Sequence, residues 1–276
     1  MNQYLAPGGQ NQLLAQTEDA ADNIFRKTKT YLPHVARLCL ISTFLEDGVR
    51  MYFQWDEQKQ FLEKSWEFGS FFSTVFVFYN MVGQLIPVLM ILLRTKVLVA
   101  VGILASIVVF QTIAYHVWDL EFLSRNAAVA GALVLLAAET QEEKTSLFAG
   151  VPTMGDSNKP KSYLLLVGRF LMVFMFLTLA HYNMEFLRVV EVVVGLVLIV
   201  LVAVGYKTKL SALILIMWLT AINFYLNAWW MVPADKYFRD FMKYDFFQTM
   251  SVVGGLLLVV IYGAGGISID DYKKRS

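Results

Sequence analysis

Eight long apolar runs divide this sequence, and they constrain its fold more than any other feature. A helix needs about 20 apolar residues to cross the core of a bilayer. Because 57% of the 276 residues are hydrophobic and only 16% are charged, too few polar side chains remain to cover a soluble protein of this size. The sequence therefore predicts an all-α, polytopic membrane protein with about eight transmembrane helices. The runs occupy residues 32–53, 68–93, 97–117, 122–138, 163–183, 188–206, 210–231 and 246–263.

The distribution of basic residues predicts how these helices are oriented. When eight spans alternate across the membrane, most of the 23 lysines and arginines fall on the side that holds the N-terminus. The positive-inside rule then places both termini in the cytosol and leaves a surplus of carboxylates on the far side. A net charge of only +1 gives no reason to expect nucleic acid as a partner, whereas membrane lipids surround such a protein.

The first 31 residues differ from the rest of the chain in being rich in Gln, Asn and Asp. They lack the basic start and the apolar run of a cleavable signal peptide. Leu13, Ala20 and Ile24 recur at helical spacing, and Thr17 is a residue type that caps helix N-termini. The pattern predicts a cytosolic amphipathic helix on the membrane surface, with a polar disordered tail as the alternative.

The two halves of the membrane region share a pattern of glycines and basic turns. The interval from Gly83 to the basic turn at Arg94 equals the interval from Gly195 to Tyr206, which is followed by the basic turn at residues 207–209. This match predicts a tandem duplication of a four-helix unit, and an even number of helices per unit makes the repeats parallel. The expected organisation is an N-terminal segment at 1–31, a first repeat at 32–138, a cytosolic linker at 139–162, a second repeat at 163–264 and a cytosolic tail at 265–276.

Three stretches carry a resemblance to a known family. They are residues 33–48, PHVARLCLISTFLEDG, residues 148–154, FAGVPTM, and residues 243–259, KYDFFQTMSVVGGLLLV. These stretches resemble the surfeit locus protein four family of endoplasmic reticulum cargo receptors, and the similarity runs from about Thr17 to Lys274. The four-helix units also resemble the bacterial DoxX-like membrane family.

The family resemblance implies a receptor that binds soluble secretory proteins in the lumen and loads them into COPII-coated vesicles bound for the Golgi. N-terminal apolar peptides are the cargo signal that it implies. The expected location is the endoplasmic reticulum membrane, the ER-Golgi intermediate compartment and the early Golgi, and an oligomer is possible. The sequence has no Gly-rich phosphate loop or nucleophile motif, so neither an enzyme activity nor a cofactor nor a metal is expected.

The C-terminal tail contains a pair of lysines. Lys273 and Lys274 stand at the positions read by the COPI retrieval coat, and the predicted topology puts them in the cytosol. They are therefore expected to return the protein to the endoplasmic reticulum. The alternative is that they only anchor the last helix at the membrane surface.

Three charged residues stand near the lumenal end of the first predicted helix. Arg50 lies four residues after Glu46 and three after Asp47, so it has both carboxylates within reach. One guanidinium cannot neutralise two carboxylates, and we expect the remaining one to bind the free N-terminal amine of a cargo chain. The alternative is that the three groups reach the headgroups and only anchor the helix.

Further polar residues collect at the same predicted depth. Helical spacing puts each set on one face of its helix, and in the two repeats Gln111 aligns with Asn223. We expect them to line one lumenal cleft between the repeats, although single amides also hydrogen-bond between helices. The candidate cleft residues are Gln111, Tyr115, Asp119, Asn223, Asn227 and Asp245.

Two rival functions remain open from the sequence. A lipid scramblase or small-molecule transporter would also place polar groups between two repeats. A DoxX-like redox protein would use His116 and His181 as ligands. Charged residues crowd toward one face of the membrane, which favours a one-sided binding cleft over a continuous path.

Overall fold

The computed structural model describes residues 31–67, 69–115, 120–147, 166–167, 169–170, 173, 186–233, 237–262 and 268–269. All regular secondary structure in these ranges is helical, so the predicted all-α membrane architecture is confirmed. Almost all of the predicted N-terminal segment and most of the span at 163–183 lie outside the described residues. So do Asp119, His116, His181, Lys273 and Lys274.

Within the described ranges the chain forms eight α-helices. They are α1 Leu32–Phe53, α2 Trp55–Trp66, α3 Ser70–Leu92, α4 Val97–Ala114, α5 Leu120–Leu147, α6 Phe186–Val204, α7 Thr208–Leu226 and α8 Tyr237–Tyr262. A 3₁₀ turn at Trp229–Met231 lies between α7 and α8.

Four described helices are long and apolar enough to cross a membrane: α3, α4, the segment Thr208–Met231 and the segment Phe238–Tyr262. Shorter apolar helices occupy Val129–Thr140 within α5 and Val193–Val204 within α6. Helix α1 has 22 residues but falls outside this apolar class because it contains four charged side chains. Three of them, Arg37, Glu46 and Asp47, are buried inside the bundle, so their charge does not face lipid.

Helix α2 is the one described element that no predicted span contains. Its sequence is WDEQKQFLEKSW, in which only Leu62 is buried, so a search for apolar runs passes over it. Two other helices are longer than their predicted spans. Helix α5 continues past residue 138 to Leu147, and α8 starts at Tyr237 instead of residue 246. Their extra turns are polar or amphipathic, which apolar periodicity does not detect.

The first and last described helices, α1 and α8, form the centre of the bundle. Helix α1 packs most extensively against α8 and next against α3, while α7 and α5 also pack against α8. Leu40 and Ile41 of α1 meet a core that includes Leu136 of α5 and Leu256 of α8, and all four side chains are buried. Helices α1, α5 and α7 therefore contact α8 extensively.

The α1–α8 contact is close enough to bring side-chain hydroxyls onto the opposing backbone. Ser251 Oγ donates to Leu40 O at 2.7 Å, and Thr43 Oγ1 donates to Phe247 O at 3.1 Å. A Cβ on Gly254 would meet the Leu40 backbone nitrogen and would lie 2.6 Å from the carbonyl oxygen of Ala36. Glycine at position 254 therefore permits the two backbones to approach.

The turns of the two helical hairpins have the same unusual geometry. Arg94 and Lys96, between α3 and α4, have φ values of 58° and 44°. Gly205 and Lys207, between α6 and α7, have φ values of 78° and 44°. In each turn, two residues separated by one other residue thus have left-handed backbone conformations. This similarity supports the predicted duplication, which stays a prediction.

The C-terminal ends of α4 and α7 match each other at a sequence offset that differs by one residue from the offset between the two turns. The amide of Tyr115 donates to Gln111 O after α4, and the amide of Asn227 donates to Asn223 O after α7, both at 3.0 Å. The offset of 112 expected from the sequence therefore fits these C-terminal ends. At the turns that precede α4 and α7, the offset between the repeats is one residue shorter, because α7 is one residue longer than α4.

We expect the substitution Gly254→Ala to lower the free energy of unfolding by about 2 kcal/mol, because the added methyl group must push α1 away from α8. The measurement is thermal unfolding of the purified protein in detergent. Gly102→Ala is the matched control, since a Cβ at Gly102 meets nothing within 4 Å. Equal melting temperatures for the two variants would contradict the close α1–α8 contact.

Candidate functional site

A cavity of about 570 Å³ opens at the end of the bundle where α1 and α4 end and α8 begins. Its walls come from α1, α2, α4, α5 and α8, so it is enclosed by elements far apart in the sequence. Four of the residues predicted for the cleft line it, namely Asp47, Arg50, Gln111 and Tyr115. A volume of this size is in the range of small-molecule and peptide side-chain pockets.

Asp47 is held by three donors from three helices. Its Oδ2 accepts from Gln84 Nε2 of α3 at 2.7 Å and from Gln111 Nε2 of α4 at 2.8 Å. Its Oδ1 accepts from Arg50 Nη2, one turn further along α1. A buried carboxylate is stable only when its lone pairs are satisfied and its charge is balanced. These four side chains, called the Asp47 clamp below, tie α1, α3 and α4 together.

Glu46 lies beside the Asp47 clamp but points toward α8. Its Oε1 is 3.4 Å from Lys243 Nζ and 3.8 Å from Arg50 Nε, and the side chain is buried. The sequence led us to expect one carboxylate left over for a cargo amine. In the structure, Asp47 is engaged by Arg50 and two amides, and Glu46 is engaged by Lys243. The extra partners come from helices that sequence spacing alone does not bring together.

Helix α2 covers one side of the cavity. Glu57, Gln58 and Phe61 of α2 line it, together with Gln54, the residue just before this helix, and the four recur at the spacing of one helix face. The hydroxyl of Tyr115 donates to Gln58 Oε1 at 2.8 Å. The rings of Phe61 and Tyr115 stack with centroids 5.5 Å apart. These contacts fix α2 against the end of α4.

Helix α8 forms the wall opposite α2 through Asp240, Phe241 and Tyr244. Gln54 Nε2 donates to Asp240 Oδ2 at 3.0 Å, which connects the two walls. Glu57, Phe61, Asp240 and Phe241 are the exposed residues of the lining, and we call these four residues the mouth of the cavity. The mouth therefore presents two carboxylates and two aromatic rings to solvent.

The other predicted cleft residues that the structure describes lie outside the cavity lining. Asn223 is buried and donates through Nδ2 to Phe246 O at 3.0 Å, and Asn227 donates to Asn223 Oδ1 at 2.8 Å. The first bond joins α7 to α8, and the second lies at the C-terminal end of α7. Asp245 is half-buried on α8 and also falls outside the lining. The expected alignment of Gln111 with Asn223 across one cleft is therefore not seen, because Asn223 faces the backbone of α8.

Four residues of this region were missed by sequence reasoning. Gln84 had a usable signal, since it is a polar residue in the middle of the apolar α3. Lys243 lies within a quoted family stretch but had no visible partner. Glu57 and Asp240 lie in polar segments flanking apolar runs, where charged residues are ordinary.

A second buried ion pair lies at the opposite end of α1. Glu139 Oε1 accepts from Arg37 Nε at 2.9 Å and from Arg37 Nη2 at 2.5 Å. The hydroxyl of Tyr262 donates to the same oxygen at 3.1 Å. This cluster joins α1, α5 and α8 at the end of α1 away from the cavity. Metal-binding groups of three His, Cys, Asp or Glu are absent from the described part of the chain.

Comparison with known proteins identifies the family. The model of the SURF4 family matches residues 11–276. This chain belongs to the SURF4 family. It is 53% identical over 266 residues to a surfeit locus protein 4 homolog of Drosophila melanogaster, covering 96% of this chain and 98% of that protein.

More distant relatives of this SURF4-family chain occur in yeasts. The ER-derived vesicles protein ERV29 of Saccharomyces cerevisiae is 35% identical over 94% of this chain and 83% of its own length. A surfeit locus protein 4 homolog of Schizosaccharomyces pombe is 32% identical over 94% of this chain and 87% of its own length. No solved structure matches the chain. The resemblance expected from the sequence is confirmed.

We expect Asp47→Asn in this SURF4-family chain to lower the free energy of unfolding by about 2 kcal/mol. The substitution removes the charge that balances Arg50 and leaves three donors competing for one carbonyl oxygen. The measurement is chemical or thermal unfolding in detergent. Asp56→Asn is the matched control, because Asp56 is exposed on α2 and its loss should cost less than about 0.5 kcal/mol. A destabilisation no larger than that of the control would contradict the clamp.

Proposed function

We propose that this protein is a non-enzymatic cargo receptor that binds the N-terminal peptides of soluble secretory proteins in the lumen of the endoplasmic reticulum. The observation that carries the proposal is the 570 Å³ cavity at one end of the bundle. Membership of the SURF4 family supports it, as does the name of the yeast relative, which links that protein to vesicles derived from the endoplasmic reticulum.

The direction in which the cavity faces supports a lumenal task. If both termini are cytosolic, as the positive-inside rule predicts, then α1 enters from the cytosol and ends in the lumen. The ends of α1 and α4, the helix α2 and the start of α8 then all lie on the lumenal side. Soluble secretory proteins are present in that compartment, and a cavity exposed there meets them directly.

The buried packing below the cavity favours a receptor over the transporter or scramblase alternative. A transport path needs polar groups or a groove that continue across the membrane. Below the cavity, buried Leu40, Ile41 and Leu256 join α1 to α8, and the Arg37–Glu139 ion pair joins α1 to α5. This packing of the described helices supports one-sided binding.

We further propose that the protein cycles between the endoplasmic reticulum, the ER-Golgi intermediate compartment and the early Golgi. In this proposal COPII carries it forward through contacts with its cytosolic segments. COPI returns it through Lys273 and Lys274 of the cytosolic tail. The tail position of the two lysines, next to the predicted end of the last span, supports the return step.

Replacing Lys273 and Lys274 by serine should shift the steady-state population from the endoplasmic reticulum to the Golgi and beyond, because the COPI coat no longer recognises the tail. Fluorescence microscopy and glycan processing of a lumenal tag measure this shift. The matched control is Arg275→Ser, which removes a neighbouring basic residue but keeps both lysines. An unchanged distribution of the dilysine variant would remove the retrieval step from the proposal.

A photo-reactive residue at Phe241 should capture secretory proteins in native membranes, whereas one at Phe238 should not. The two positions lie one helical turn apart on α8 and are 61% and 64% exposed, but only Phe241 lines the cavity. Mass spectrometry identifies the captured species. Capture of lipid alone at Phe241, or the same proteins at both positions, would contradict peptide binding in the cavity.

A further inference from the structure

The buried charges in and beside the cavity are already paired within the protein. Asp47 is paired with Arg50, and Glu46 is paired with Lys243. The oxygens of Asp47 also accept from Gln84 and Gln111. A ligand that displaced these partners would leave buried donors or a buried charge without a partner, which is costly. The Asp47 clamp is therefore part of the scaffold of the site and does not supply a charge for a ligand.

Two carboxylates at the mouth are in a different situation. Glu57 is exposed on the first turn of α2, and the structure shows no cation beside it in the described ranges. Asp240 is exposed on α8, and its Oδ2 accepts from the neutral amide of Gln54. Gln54 and Glu57 lie three residues apart, so Glu57 stands about one helical turn from the residue that bonds Asp240. The two walls thus bring two carboxylates to one entrance, and the structure shows neither in an ion pair with another described residue.

The lining beside these carboxylates is aromatic and apolar. Phe61 stacks on Tyr115, and Phe241 and Val108 add further apolar lining. A ligand that fits has a cationic head and an apolar body directly attached to it. An N-terminal peptide with a free α-amine and apolar first side chains has this chemistry. A lipid phosphate at this entrance would instead be repelled by the two carboxylates.

We propose that Glu57 and Asp240 together bind the terminal ammonium of the cargo peptide, while its first apolar side chain lies against Phe61 and Tyr115. This inference rests on the proposed function and names the groups that determine its specificity. It replaces Glu46 and Asp47 as the ammonium site. Gln54 acts as a positioning residue, because its amide holds Oδ2 of Asp240 at the entrance.

The test measures peptide binding to the full-length protein in lipid nanodiscs. The probes are one fluorescent peptide with apolar first residues and a free amine, and the same peptide with an acetylated amine. Acetylation should weaken binding to the unaltered protein about tenfold. Glu57→Gln and Asp240→Asn should each weaken binding of the free-amine peptide about threefold to fivefold and leave binding of the acetylated peptide unchanged.

Asp56→Asn is the matched control, since Asp56 shares the first turn of α2 with Glu57 but does not line the cavity. It should leave both affinities unchanged. Thermal unfolding of each variant shows whether it is folded. If both peptides bind equally well to every folded variant, the ammonium site is wrong while peptide binding stands. If neither peptide binds the unaltered protein, the proposed function fails and the ammonium site with it.

Discussion

A charged side chain inside a membrane bundle must be neutralised by its neighbours, and this constraint organises the structure around α1. Arg37 and Asp47 are buried on this helix, ten residues apart. Arg37 binds Glu139 near one end of α1, and Asp47 binds Gln84, Gln111 and Arg50 near the other. Because these partners come from α3, α4 and α5, the charges of α1 tie three other helices of the described bundle to it.

The cavity follows from this arrangement. The Asp47 clamp ties the ends of α1 and α4 to the middle of α3, and α2 then covers the cavity through its contact with Tyr115. The other wall is the polar start of α8, which extends beyond the apolar span. The charges of Asp47 and Arg50 balance each other inside the site, whereas the mouth carries two carboxylates. Such a site suits a ligand with a cationic head and an apolar body.

The sequence predicted those parts of the structure that depend on contacts along one helix. The bounds of α1, the proximity of Asp47 and Arg50 and the turns at Arg94 and Lys207 all follow from local patterns. It did not predict the partners supplied by distant helices. Lys243 is nearly two hundred residues from Glu46 in the chain, and only the packing of α8 on α1 brings their charged groups within 3.4 Å.

Two further features of the structure differ from the prediction made from the sequence. Helix α2 was missed because it buries a single leucine and has no apolar run. Asn223 was expected to face the cleft because it aligned with Gln111, yet its amide donates to Phe246 O of α8. An amide in a membrane helix takes whichever acceptor the neighbouring helix presents, and sequence alignment does not determine that acceptor.

The most direct measurement is the rate at which a cysteine at position 61 is alkylated, with and without a bound peptide. Phe61 lines the cavity and is 45% exposed, so Phe61→Cys in a Cys39→Ala background gives one reactive thiol at the site. The reference is Phe53→Cys in the same background, because Phe53 is 78% exposed at the end of α1 and does not line the cavity. In permeabilised membranes, a saturating free-amine apolar peptide should slow alkylation at position 61 several-fold and leave position 53 unchanged. Equal rates at position 61 with and without the peptide would contradict the account.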